Sequence, residues 1–139
     1  MFSQLCIKDA YAPFRRWIFI GIVTNIVICL TAWIALDFFT GLFALPTVPA
    51  EMRVWPWFAC VLLVLLSFYY VTAIRNPHDD YAVNMTFFGR LAGVIYFGLV
   101  VAPNFGLTYA VFAVYDGFFG LISFIAYRKG KQKDFVVNI

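Results

Sequence analysis

Four stretches of this chain are each about twenty residues long and continuously apolar, and few folds accommodate that pattern. They cover residues 17–36, 55–74, 82–102 and 107–127. Roughly 20 residues at a rise of ~1.5 Å span the ~30 Å hydrocarbon layer of a bilayer. Inside lipid an open chain satisfies its backbone hydrogen bonds only as helix, and the runs show no alternation of the kind a membrane β-barrel needs. The expected fold is therefore all-α and integral to a membrane: a bundle of four transmembrane helices forming a single domain over residues 1–139. The first run is about twice the length of a secretory h-region and no small-residue cleavage site follows it, so it reads as a span rather than a signal peptide.

Composition supports that reading. Hydrophobic residues make up 64% of the chain and charged residues 12%, against about half and about a quarter in an average soluble domain. A soluble fold of this size leaves too much surface in water to hide such a load. The formal charge of +3 does not point to nucleic acid. The basic residues flank apolar runs and form no aromatic-interleaved basic face. Cys6, Cys29 and Cys60 show neither a CxxC pair nor zinc spacing. Cys29 and Cys60 read as small buried hydrophobes, and a disulfide between them requires the first two spans to be neighbours.

The basic residues also give an orientation. Lys8, Arg15 and Arg16 precede the first span, Arg75 lies in the connection between spans two and three with Arg90 a little inside span three, and Arg128, Lys129, Lys131 and Lys133 follow the fourth span. Placing both termini in the cytoplasm puts nine of the ten basic residues there, leaving only Arg53 outside. The segment 37–54 is too apolar to float freely. With Phe38, Phe39, Leu42 and Phe43 it is expected to lie as an amphipathic stretch at the outer surface, before Trp55 and Trp57 anchor the second span. Pro103-Asn104-Phe105-Gly106 suggests a tight turn that makes spans three and four an antiparallel hairpin.

Charge inside a span is costly and marks the first place to look for function. Arg90 and Asp116 both qualify, about 18 Å and about 14 Å from the outer turn. In an antiparallel hairpin a buried pair between them is the most economical arrangement. It could serve as a structural lock, a proton relay, a substrate clamp or an anchor for a partner. Alternatively, Arg90 reaches the membrane surface on its own long stem. Tyr109 shares a helix face with Asp116, and Tyr96, Asn25, Thr24 and Tyr115 could add hydrogen bonds, either as a polar cavity or as scattered interhelical contacts. Gly89-x-x-x-Gly93, with Gly117 and Gly120, marks small-residue stripes for close helix packing.

Other chemistries lack their parts. The single histidine, His78, cannot build a bis-histidine haem or His-rich metal site, and next to Asp79 and Asp80 it reads as a solvated turn. The sequence contains no Gly-rich phosphate loop or Ser nucleophile elbow. Neither a metal nor a cofactor is expected, although a bound lipid or quinone is compatible with the composition.

Leu45-Pro46, Tyr69-Tyr70, Asn76-Pro77, Gly89-Arg90 and Tyr115-Asp116 form a pattern that resembles the DoxX-like and related small four-helix bacterial membrane proteins. The resemblance implies a four-helix bundle in the inner (cytoplasmic) membrane, sometimes linked to quinone or thiol redox systems.

Three functional classes follow, in order of expectation. The first is an accessory or structural subunit of a larger membrane complex, with redox and respiratory complexes as candidates, in contact with the bilayer and with other subunits or its own copies. The second is a small oligomeric transporter or channel using Arg90 and Asp116. The third is a membrane enzyme acting on a lipophilic substrate. No motif supplies catalytic residues, so an enzyme is not the leading expectation.

Overall fold

The computed structural model describes residues 9–137, so Cys6 and Lys8 lie outside the described residues. Within them the regular structure is helical: α1 (Ala12–Ile34), α2 (Leu36–Leu42), α3 (Val54–Arg75), α4 (Asp80–Ile95), α5 (Ala102–Phe105) and α6 (Ala110–Val137). A π-helical segment, Tyr96–Val101, joins α4 to α5 as one rod. Four helical stretches are long and apolar enough to cross a membrane: Ala12–Ile34, Ala50–Arg75, Asp80–Phe105 and Leu107–Phe135.

Local chemistry sets the ends of these rods. Pro13 sits in the first turn of α1, where its missing N–H costs nothing. The helix therefore starts five residues before the apolar run does. α3 stops at Arg75, just before Asn76-Pro77, because a residue ahead of proline avoids helical geometry. Asp79 then caps α4, its carboxylate accepting from the N–H groups of Tyr81 at 3.0 Å and Ala82 at 3.2 Å.

At the other end of the bundle the expected four-residue turn is shorter than the sequence suggests. Pro103, Asn104 and Phe105 are helical, and the reversal falls on Gly106 at φ 126, a value that favours glycine. The π segment just ahead of Pro103 widens the helix where proline would otherwise clash. Asn104 Nδ2 donates to the Val100 carbonyl at 2.6 Å.

Residues 37–54 are partly ordered as helix. α2 leaves α1 at Ala35 and turns Leu36 and Thr40 inward, both buried. Phe39 packs on Phe43 and Phe112. α2 ends in a Schellman motif, with Leu45 N–H bonded to Thr40 O at 2.8 Å and Ala44 N–H to Gly41 O at 3.1 Å. Ala44 occupies the left-handed position at φ 50. Asp37 and Arg53 pair across the segment at 3.0 Å.

The four rods form a closed ring in which α1 packs on α3 and α6, and α4 packs on α3 and α6. α1 is thus diagonal to α4. Near the termini the core is built from Phe14, Ile18, Tyr70, Ala73, Val83 and Tyr127. Near α2 it is built from Cys29, Ala32, Leu36 and Cys60. Between these two apolar clusters lies a polar layer.

A charged layer that links all four spans

Arg90 extends from α4 into the centre of the ring, with 7% of its side-chain surface exposed. Its Nη1 donates to Asp116 Oδ1 of α6 at 2.6 Å, and the Asp116 side chain is 16% exposed. An isolated charge in such a place is prohibitive, so the pair is the condition on which either residue can be there. The guanidinium carbon lies 5.2 Å from the Tyr70 ring centre, 5.3 Å from Tyr115 and 5.6 Å from Phe119. Three ring faces therefore share the cation.

A directional hydrogen-bond chain runs beside the pair. The Tyr115 hydroxyl donates to Asn25 Oδ1 at 2.8 Å, Asn25 Nδ2 donates to Ser67 Oγ at 3.3 Å, and Ser67 Oγ donates to the Leu63 carbonyl at 2.9 Å. The Tyr115 hydroxyl also lies 3.4 Å from the Gly21 carbonyl, and bonds of this kind are how buried polar groups avoid a desolvation penalty. Asn25 is on α1, Ser67 on α3, Arg90 on α4 and Tyr115–Asp116 on α6. The layer thus reaches every span.

Glycines make the room. A Cβ on Gly21 of α1 would meet Arg90 Nη2 at 2.8 Å, so the guanidinium crosses the ring to the diagonal helix. A Cβ on Gly120 would meet Arg90 Cβ at 3.2 Å. A Cβ on Gly93 would overlap the Asp116 carboxylate outright. Gly117 is looser, with Val94 Cγ2 at 3.5 Å. Gly89 and Gly93 do not form one contact stripe. Gly89 faces Tyr70 and Leu66 of α3, while Gly93 faces α6. The reason is that α4 occupies a corner of the ring and touches two helices.

The structure brings Arg90, Asp116 and Asn25 together. It leaves two other candidates outside. Tyr96 sits in the π segment, 56% exposed and against Phe97. Tyr109 lies in the 3₁₀ turn Leu107–Tyr109 at the α2 end. Tyr109 shares a heptad face with Asp116 in an ideal helix, but α6 begins at Ala110 and the periodicity does not extend to it. Ser67, Gly21 and Phe119 belong to the layer without having been candidates from the sequence, and Tyr70 belongs to it although it entered only through the Tyr69-Tyr70 pair of the resemblance. Ser67 carried a usable signal, as a hydroxyl in the midst of the apolar second run.

Two smaller clusters flank the layer. Cys29 and Cys60 are free, buried thiols on α1 and α3, with Cys29 Sγ 3.5 Å from the Cys60 carbonyl. Near the termini Asp80 accepts from Tyr127 at 2.9 Å and Lys131 at 3.3 Å, and His78 Nδ1 lies 3.7 Å from Asp134 Oδ2. The Tyr11 ring meets His78 edge-on at 5.1 Å. Burial pushes the Tyr11 phenol above its ordinary range, with the nearby Asp134 and Asp80 carboxylates adding to the effect. Among the described residues, no group of three or more His, Cys, Asp or Glu side chains is placed to hold a metal ion.

The described residues form an all-helical bundle with four helices long and apolar enough to cross a membrane, cross-linked at mid-height by an ion pair and its hydrogen bonds. Comparison with protein-family models, curated proteins and solved structures returns no match to this chain.

Proposed function

We propose that this chain is an accessory, structural subunit of a larger membrane assembly. The observation that carries the reading is that Arg90 and Asp116 pair within a layer of rings and hydrogen bonds that reaches all four spans. A group that transfers protons or binds an ion must be free to change partners, and this arrangement instead rewards staying in one place. Buried polar groups of this kind fix register and partner choice. The resemblance to DoxX-like proteins read from the sequence is compatible with such a role in a bacterial inner membrane. The distribution of Lys and Arg supports both termini on the cytoplasmic side.

The test is crosslinking in native membranes followed by extraction in mild detergent. A tagged chain should migrate with one or more other membrane proteins at fixed stoichiometry. Recovery of the chain alone from both crosslinked and uncrosslinked membranes would overturn the proposal. Orientation is checked with single cysteines at Lys133 and Glu51. A membrane-impermeant maleimide should label only position 51 from outside intact cells.

A further inference from the structure

A groove of about 410 Å³ runs along the outer surface of the α4–α6 pair, and its lining includes Arg90 and Asp116. It extends from Asn84 to Val94 along α4 and from Asp116 to Phe124 along α6. Ten residues of α4 correspond to about 15 Å at ~1.5 Å rise per residue. A volume of about 410 Å³ falls at the small end of the ~300–1,000 Å³ typical of small-molecule sites. That size suits one slender small molecule.

The chemistry of the slot narrows the occupant further. Phe87, Phe88, Leu91, Leu121 and Phe124 make its walls apolar. At its deep end Asp116 accepts from Arg90 through Oδ1 and keeps 16% of its side-chain surface open. A carboxylate has room for several donors, and lipid tails offer none. The Arg90–Asp116 pair is already neutral overall, so a charged head group would bring an uncompensated charge into hydrocarbon.

We infer that this groove binds an uncharged lipophilic alcohol or phenol, a single apolar chain whose terminal hydroxyl donates to Asp116. This goes beyond the structural role proposed above and does not depend on it, because the site is complete within one chain.

Photolabelling of the purified protein in nanodiscs tests the inference, with a diazirine-bearing long-chain alcohol as the probe. Labelling should be saturable and should map to residues 84–94 and 116–124. Unlabelled long-chain alcohol should compete for the site, and its methyl ether should compete at least about tenfold less well, because it lacks the donor. Leu91→Trp, at a position 52% exposed on the groove, should fill the slot and abolish specific labelling with thermal unfolding unchanged. Asp116→Asn should reduce the preference for alcohol over ether. Equal competition by alcohol and ether, or label spread over the lipid-facing surfaces of α1 and α3, would overturn the inference. Neither result would bear on partner recovery from native membranes, so the two proposals fail separately.

Discussion

Removing either member of the central pair should cost far more than removing both. In soluble proteins, stripping one partner from a buried pair costs about 3–5 kcal/mol, while replacing both by apolar residues is often neutral or stabilising. Two features of this structure shift those figures in opposite directions. The exposures of 7% for Arg90 and 16% for Asp116 put the pair close to the fully buried limit. The unfolded reference state in a membrane, however, keeps its helices inserted and finds alternative partners, which is why hydrogen bonds measured in bilayers average only ~0.6 kcal/mol and reach ~1.7. The geometry favours the upper part of the range, because the 2.6 Å bond joins two full charges and charge-assisted bonds are about twice as strong as neutral ones.

We therefore expect Arg90→Met and Asp116→Leu each to lose about 2–4 kcal/mol, and the double variant to lose less than either. The coupling energy from the cycle should reach about 2 kcal/mol or more. Arg90→Lys should rescue only in part, because a compact ammonium cannot present a flat face to Tyr70, Tyr115 and Phe119 together. Reversible unfolding in mixed micelles, followed by helical signal and tryptophan emission, reads all of these. Additive single losses, with a coupling below about 0.5 kcal/mol, would refute the claim that the pair holds the bundle.

Three further expectations are cheaper to check. Gly93→Ala should destabilise about as much as losing Asp116, since the new methyl takes the carboxylate's place, whereas Gly117→Ala should be neutral or gain up to ~1 kcal/mol from helix propensity. Equal effects in thermal unfolding would contradict the clearance argument. Ala44→Gly should stabilise by roughly 1 kcal/mol by relieving the left-handed backbone at φ 50, and a loss of stability there would rule the strain out. Arg53→Gln should cost below about 1 kcal/mol and lose its effect in high salt, because its partner Asp37 is 63% exposed. A larger, salt-independent loss would mean that this pair holds α2 in place.

The rods were legible because about twenty consecutive apolar residues have the length and composition of a helix able to cross a bilayer. Their ends were less legible. Pro13, Pro103 and the stretch from Arg128 to Val137 are helical in the structure, though proline and charge are ordinarily read as boundaries. Each is tolerated for a local reason: a first-turn position, a π segment beforehand, or projection beyond the apolar run. Arg90 and Asp116 could be singled out because charge in a span is rare. Tyr70 entered only as half of the Tyr69-Tyr70 pair, and Gly21 and Phe119 could not be singled out, because glycine and phenylalanine are common in such helices. Their role comes from the ring order of the bundle, which places α1 diagonal to α4, and hydropathy carries no information about which helices are neighbours.

That ring order also explains why the charge is worth its cost. Apolar helix surfaces in a bilayer gain little by choosing one another over lipid, so the apolar remainder of this chain specifies rotation and register weakly. Sliding α6 by one turn along α4 moves Asp116 by ~5.4 Å. That is enough to part it from Arg90 and to lift it off the notch that Gly93 provides. The same slip pulls the Tyr115 hydroxyl from Asn25 and leaves the chain to Ser67 unfilled. One register satisfies every group in the layer at once, and the registers a turn to either side leave a carboxylate, a guanidinium and an amide unpaired in hydrocarbon. A few polar groups thus give a sequence of mostly interchangeable apolar residues a single way to pack.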